Sequence, residues 1–328
     1  MNHFNNRHLK SELGTSPGPS SRRRFVKLAG ITGISTTLNL AFHGFRTTKA
    51  IAKPTRQSEA DTSAVRMGVV GLSFYRVVGG IVQNVLESLG YRVDITEGPH
   101  AEIFPRLGRG ELDMLVAVWL PNGHQTLFQT HGKQAIELGR LYDDARFFWG
   151  VPDYLPTGIQ SISDLARPSV AAQMNKLIQG IGPGAGITRL SQEVMTRYQL
   201  DAAGYQFRTG TEQDWIKAFR QSVAAQQGVI VPLWQPQYLN QAFAIRRLQD
   251  PLGVFPGADR CALVVTKAFR ERLPADTVNI LSRIYLGVNA VTEMDYLTSL
   301  KGLSPREAAT QWMNQNPDLT QSWLKPMS

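Results

Sequence analysis

Met67-Gly68-Val69-Val70-Gly71-Leu72, then Val77 to Leu89 closed by Gly90, then Tyr91-Arg92-Val93-Asp94-Ile95-Thr96, decides the class of fold. The first run is short and apolar and reads as a buried strand. Apolar residues at 77, 78, 81, 82, 85, 86 and 89 follow the helical period, and the glycine after them is a stop signal. Tyr91 to Thr96 reads as a second strand. A strand, a helix and a strand at this spacing form a βαβ unit, which predicts a parallel pair.

Outward from that unit the alternation continues. Ala101 to Arg109 predicts a helix, Leu112 to Val118 a third strand and Gln125 to Leu138 a further helix. Val151-Pro152-Asp153-Tyr154-Leu155-Pro156, with two prolines, predicts an extended crossing. A second α/β unit starts at Ser161-Ile162-Ser163-Asp164-Leu165 and passes a glycine-rich loop. It continues through a helix from Thr188 to Tyr198 and ends in the strand Gly228 to Leu233. Beyond Asp250-Pro251 come a strand (Ala262 to Thr266), a long helix (Ala275 to Glu293) and a helical tail with Trp312 and Trp323. The expectation is an α/β protein with mainly parallel sheets and no internal repeat. Its two lobes are 65–156 and 157–249, with a return segment 250–328.

The chain of 328 residues is long enough for two cores, with 42% hydrophobic and 19% charged residues. Its net charge of +9 is lopsided. Residues 1–52 hold eight Lys or Arg against Glu12 alone, so +7 lies there and only +2 in the remaining 276 residues. A basic footprint for nucleic acid is therefore missing from the body of the chain, and Arg246-Arg247 reads as a solvated face. The basic segment has the parts of an export signal: a polar start, an apolar stretch from Leu28 to Phe42 and the small-residue site Ala50-Ile51-Ala52. Ser21-Arg22-Arg23-Arg24-Phe25-Val26-Lys27 resembles the twin-arginine consensus. These features predict Tat export to the periplasm with cleavage after Ala52, followed by a polar linker, 53–64. The apolar stretch is shorter than the roughly 20 residues of a spanning helix. Cys261 is the one cysteine, so no intrachain disulfide forms, and its place in Cys261-Ala262-Leu263-Val264-Val265 predicts a buried strand thiol. With no cysteine at the cleavage site, a lipoprotein anchor is not expected.

Enzymatic parts are missing from the sequence. His100, His124 and His131 are the histidines beyond the signal, and they form no metal-ligand spacing. Neither a G-x-S-x-G elbow nor a G-x-x-x-x-G-K-[ST] loop occurs. No catalytic residue, metal or cofactor is expected.

Nine landmarks in order carry a resemblance: Leu89-Gly90-Tyr91, Gly110-Glu111-Leu112-Asp113, Val118-Trp119-Leu120-Pro121, Val151-Pro152-Asp153-Tyr154 and Ser161-Ile162-Ser163-Asp164-Leu165; then Gly182-Pro183-Gly184-Ala185-Gly186, Leu233-Trp234-Gln235-Pro236, Leu248-Gln249-Asp250-Pro251 and Trp312 to Trp323 around Asn316-Pro317. The chain resembles the substrate-binding proteins of ABC transporters for glycine betaine, choline and related quaternary amines. That resemblance implies a two-lobe periplasmic binding protein fold (type II-like) with the ligand in the inter-lobe cleft. It also implies a permease and an ATPase as partners, a monomeric binding protein, and glycine betaine as ligand. Choline, carnitine and proline betaine are alternatives. A reading from a different class is a Tat-exported, cofactor-containing oxidoreductase, which the missing ligand set disfavours.

A quaternary ammonium has no N–H, so it is held by aromatic faces. Trp119 follows an apolar run and precedes Pro121, and Trp234 follows Val229 to Leu233 and precedes Pro236, so both sit near strand ends, where open α/β sheets bind ligands. Each also reads as an ordinary core residue. The resemblance makes both cage aromatics, and it places a third ring in the loop Ser73-Phe74-Tyr75-Arg76, where relatives often carry tryptophan and this chain offers Phe74 or Tyr75. Gly180 to Gly186 opens a helix, and exposed N–H groups at a helix start bind anions. By resemblance, the amides of Gly184, Ala185, Gly186 and Ile187 grip the ligand carboxylate. Gly180, Gly182 and Ala185 also fit G-x-G-x-x-A with Asp201 downstream, but no clean strand is expected immediately before them, so the dinucleotide reading is the weaker one. Relatives place a histidine or another polar residue after the second tryptophan, where Gln237 and Tyr238 stand. Trp149 and Tyr154 at the crossing, and His124 after the third strand, complete the candidates. Trp215, Trp312 and Trp323 read as packing residues.

Overall fold

A computed structural model describes residues 64–325. The export signal, its twin-arginine motif, the cleavage site and all of the linker except Ala64 lie outside the described residues.

The chain runs β1 (Ala64–Val70), α1 (Ser73–Ser88), β2 (Arg92–Gly98), α2 (His100–Gly108), β3 (Met114–Leu120), α3 (Gln125–His131) and β4 (Ala135–Pro152). After a 3-10 turn at Ile162–Ala166 come α4 (Pro168–Ala171), β5 (Leu177–Gln179), α5 (Gly186–Arg197), β6 (Gln206–Arg208), α6 (Glu212–Ala224) and β7 (Val231–Gln235). The remainder is α7 (Leu239–Ala242), β8 (Ile245–Arg247), β9 (Asp259–Thr266), α8 (Lys267–Arg272), α9 (Ala275–Arg283), α10 (Val288–Lys301), α11 (Pro305–Gln315) and α12 (Pro317–Leu324).

The βαβ unit is as expected: β1 and β2 pair in parallel, with Met67 opposite Ile95. β3 lies on the other side of β1, also parallel, and all seven of its residues are buried, as befits a strand covered by helices on both faces. From there the sheet departs from the expectation of mainly parallel pairing. Its order is β2-β1-β3-β9-β4-β7 with β8 on β4, and the pairs β3–β9, β9–β4, β4–β7 and β4–β8 are antiparallel. Among the described residues, the small β5–β6 sheet adds one further parallel strand pair.

The cause is β4. The helix expected to reach Leu138 ends at His131, and an 18-residue strand starts at Ala135. Its first half pairs with β9 and its second half, from Arg146, with β7 and then β8. Asp144, at the changeover, has φ 64. The expected helix Ala275 to Glu293 is likewise two: α9 stops at Arg283, the chain extends, and Gly287 at φ 79 precedes α10.

α1 packs between β1 and β3 on one side and α10 and α11 on the other. The Asp113 carboxylate is buried at the edge of this core. Asp113 accepts from the backbone N–H and guanidinium of Arg66 and from the guanidinium of Arg272. Burial pushes its pKa up, and these partners more than reverse that and hold it below the usual aspartate range. Trp312 and Trp323 stack at 6.4 Å, and the Cys261 thiol is fully buried in β9 with its pKa pushed up by that burial, as a packing role requires.

Candidate functional site

Trp119 and Trp234 are the penultimate residues of β3 and β7, inside strands that were expected to end just before them at Val118 and Leu233, and each is followed two residues on by the proline of a cis X-Pro peptide. Phe74 stands between them, its ring centroid 5.6 Å from Trp119 and 5.8 Å from Trp234. Tyr75 packs against Phe74 at 3.9 Å and edge-on to Trp119 at 6.1 Å. All four are buried and line one narrow cavity of about 10 Å³, no more than a single water's space. Ser73 to Arg76 is not a loop, as expected from the sequence, but the first turn of α1, so the two rings project from a helix start.

Each wall of the cavity is held from behind. Ala117 has φ 68, and the β3–β9 register slips between Leu115 and Val118; this bulge re-aims Trp119 into the cavity. The Trp119 indole N–H donates to the Tyr142 hydroxyl at 2.8 Å. Trp234 is backed by Trp215 of α6, stacked at 4.6 Å, and its own indole N–H has no protein partner. Asp259 of β9 accepts from the backbone N–H groups of Asn122 and Gly123 and fixes the turn after β3. Burial raises its pKa against the pull of those bonds.

That turn delivers His124. Its Nδ1 accepts from the backbone N–H of Trp119 at 3.0 Å, which leaves the proton of the neutral ring on Nε2, 3.3 Å from the Tyr75 hydroxyl. His100, at the start of α2, lies with its ring 5.0 Å from that of His124. Both imidazoles are buried and line the cavity; burial lowers the His100 pKa to about 4 and the His124 pKa well below the usual value, with the neighbouring His100 adding to it. The polar wall is therefore neutral and can donate and accept hydrogen bonds. It adds no positive charge to a site lined by rings.

The opposite end is the start of α5. The helix begins at Gly186, two residues earlier than expected, and Ala185 at its N-cap position contributes no side-chain cap. First-turn N–H groups have no intrahelical partner, and here Gly186 and Ile187 line the cavity with the rings. Gly186 lies against Phe147 and the backbone of Gly123, which only a glycine permits: a Cβ would stand 2.8 Å from the Phe147 ring and 3.0 Å from Gly123 Cα. Gly184, at φ 85, turns the chain into the helix beside His100 and is not among the lining residues. A strand, β5, does immediately precede Gly180, contrary to expectation.

Four further candidates do not line this cavity. Trp149 is buried in β4 with its indole N–H donated to Ser191. Tyr154 is 39% exposed, its hydroxyl donating to the Gln227 carbonyl. Gln237 is fully buried, its Oε1 accepting from the Leu239 N–H and its Nε2 unpartnered. Tyr238 donates its backbone N–H to Asp295. His100, Phe147 and Leu72 are lining residues that sequence reasoning missed. The signal available for His100 was its position directly after Gly98-Pro99 at the end of a parallel strand, where open sheets place ligand contacts.

Comparison with known proteins gives one coherent set. The family model described as the substrate binding domain of ABC-type glycine betaine transport systems matches residues 63–315. The glycine betaine/carnitine transport binding protein GbuC of Listeria monocytogenes is 27% identical over 158 residues, 48% of this chain and 52% of that protein, so the match spans about half the length of this curated relative. Among solved structures, lactococcal OpuAC in its closed-liganded conformation with glycine betaine matches with a TM-score of 0.72 at 22% identity, over 80% of this chain and 100% of that one. An ABC-transporter choline binding protein in complex with choline gives 0.71 at 20%, over 80% and 92%. The fold is thereby that of the two-lobe substrate-binding proteins.

Proposed function

Because the chain belongs to the family of substrate binding domains of ABC-type glycine betaine transport systems, a family of transport proteins rather than enzymes, we propose that it captures a quaternary ammonium, glycine betaine foremost, between Trp119, Trp234 and Phe74. The oxidoreductase reading is set aside by that membership. The observation that carries the proposal is the meeting, in one cavity, of three aromatic rings with the uncapped start of α5. Rings attract a desolvated cation by about 2 kcal/mol or more each, so three supply much of the roughly −8 kcal/mol of a micromolar site. The free amides of Gly186 and Ile187, with the neutral imidazoles beside them, suit a carboxylate at the other end of the ligand. This favours a zwitterion over choline; carnitine and proline betaine compete for the same site.

In this reading the cleft lies between lobes 65–156 with 250–328 and 157–249, and it parts by a few ångström to admit the ligand. The monomeric protein reaches the periplasm by the twin-arginine route, loses residues 1–52, and hands its ligand to an ABC permease driven by its ATPase. Two measurements test this. Calorimetric titration of residues 53–328 with glycine betaine, carnitine, proline betaine and choline is expected to give micromolar binding that is tightest for a betaine; no binding by any of the four refutes the reading. Replacing Arg22 and Arg23 by Lys is expected to leave the precursor in the cytoplasm, and unimpaired export of that variant refutes the route.

A further inference from the structure

A helix that starts at Ser73 lacks a local cap. Leu72 occupies the N-cap position, offers no side-chain bond, and the first turn contains no acidic residue. The cap comes from 139 residues away. Glu212, the first residue of α6, turns its carboxylate onto the start of α1, where Oε1 accepts both the Ser73 backbone N–H and the Ser73 hydroxyl at 3.0 Å. Its Oε2 stands 3.9 Å from the Arg76 guanidinium, which is itself paired with Glu97 at 2.8 Å. The Glu212 side chain is 5% exposed, and burial raises its pKa while the Ser73 bonds and Arg76 oppose the rise.

The two elements joined here face each other. A cleft of about 450 Å³ has Leu72, Arg76 and His100 on one side and Ile181, Thr211 and Glu212 on the other. It shares Leu72, His100 and Ile181 with the ring-lined cavity, so it is the mouth of that cavity. Ser73 immediately precedes Phe74 and Tyr75, the rings on the α1 wall. We propose that Glu212 is the clasp of the binding cleft, a positioning residue that caps α1 from across the mouth and thereby holds Phe74 and Tyr75 in the closed arrangement around the ligand. The inference rests on the binding function proposed above.

A carboxylate accepting at a helix start gains from the charge and from the dipole together, and it makes these bonds only when the walls meet. Its loss therefore acts on the closed state and on departure of the ligand rather than on encounter. Trapped ligand leaves when the clasp opens.

The test measures kon and koff of glycine betaine by stopped-flow tryptophan fluorescence for wild type, Glu212→Ala, Glu212→Gln and Ser73→Ala. Beside it, spin-label distances between Asp94→Cys and Gln206→Cys are recorded without ligand; Cys261 is buried and leaves the labelling clean. Glu212→Ala is expected to raise koff roughly tenfold or more, with kon within about twofold, and to shift the label distances outward. Glu212→Gln keeps the Oε1 acceptor and recovers most of the residence time, while Ser73→Ala shifts koff the same way by less. Unchanged koff and distances in Glu212→Ala overturn the clasp, as does an effect confined to kon or to melting. Should wild type bind no quaternary ammonium while Glu212→Ala still moves the distances outward, the ligand reading fails and the clasp stands.

Discussion

Trp119 and Tyr142 meet across an intervening strand. Trp119 on β3 and Tyr142 on β4 are both in register with Cys261 on β9, and the indole N–H of one reaches over that small side chain to the hydroxyl of the other at 2.8 Å. The Trp119 ring, proposed above as a cage wall, is thus locked by a bond that lies behind the cavity. Tyr142→Phe removes the acceptor and leaves a buried N–H unpaired, at a cost of about 1–3 kcal/mol. Urea unfolding is expected to show that loss, and titration a several-fold weaker affinity. Unaltered stability would mean that Trp119 is held by packing alone.

Trp234 is held differently. Its N–H has no protein partner, and stacking on Trp215 supplies the restraint. Trp234→Phe consequently removes no protein hydrogen bond but thins the buried stack on Trp215, so it is expected to lower the melting temperature less than Trp119→Phe, and to bind about three- to tenfold more weakly because the smaller ring offers a cation less face. Trp119→Phe loses both the face and the Tyr142 bond, so its affinity and melting temperature fall together. Equal behaviour of the two variants in both assays would contradict this division.

Two buried groups give opposing pH dependences. His100, lowered to about 4 by burial, binds its proton more weakly in the native state than in the unfolded chain at about 6.5, so its contribution is full above pH 6.5 and is lost as pH falls toward 4, by about 3 kcal/mol. Asp295 is raised to about 7 by burial, helped by Glu212 and opposed by the bonds it accepts from the Tyr238 backbone N–H and the Ser299 hydroxyl. Its protonated form is retained in the native state, so its contribution is full below about pH 4 and is lost as pH rises through 7, by about 4 kcal/mol. Unfolding at four pH values between 4 and 7.5 is expected to show the stability of wild type falling relative to Asp295→Asn, and rising relative to His100→Phe, as pH increases. Parallel curves for either pair would remove that group from the account.

The pattern of local contacts explains which of these features the sequence disclosed. Met67 to Thr96 repeats its period cleanly because strand and helix each bury one continuous set of side chains, and Trp119, Trp234 and the α5 start were legible through the prolines and glycines beside them. β4 was not, because Asp143-Asp144 interrupts its apolar pattern where the strand changes partners. The first turn of α1 was read as a loop for an equally physical reason: its cap is Glu212, which no local motif announces. Ala117, an alanine at positive φ, gives no sign of the bulge that turns Trp119, and the place of His100 after a parallel strand end does not disclose its packing against Tyr75 and His124. An interrupted pattern hid β4, and long-range contacts hid the rest.

Gly186, at the proposed anion end of the site, has no room for a side chain. Helix propensity alone favours alanine over glycine inside a helix, by up to about 1 kcal/mol. Against that, a Cβ here would lie 2.8 Å from the Phe147 ring and 3.0 Å from both Gly123 Cα and the Gly123 carbonyl oxygen. Backbone on one side and a ring in the cavity wall on the other leave little freedom to yield, so α5 must withdraw from the turn after β3 and carry its free N–H groups away from the ligand. Gly186→Ala is expected to weaken betaine binding at least tenfold, while choline, which brings no carboxylate to those amides, loses less. Gly182→Ala is the control in the same loop, since its Cβ would meet only the Gly210 carbonyl at 3.7 Å, an ordinary contact, and its φ is not positive. Titration of both variants with both ligands decides: equal losses for betaine and choline in Gly186→Ala would mean that the close approach shapes the cage as a whole rather than its carboxylate end.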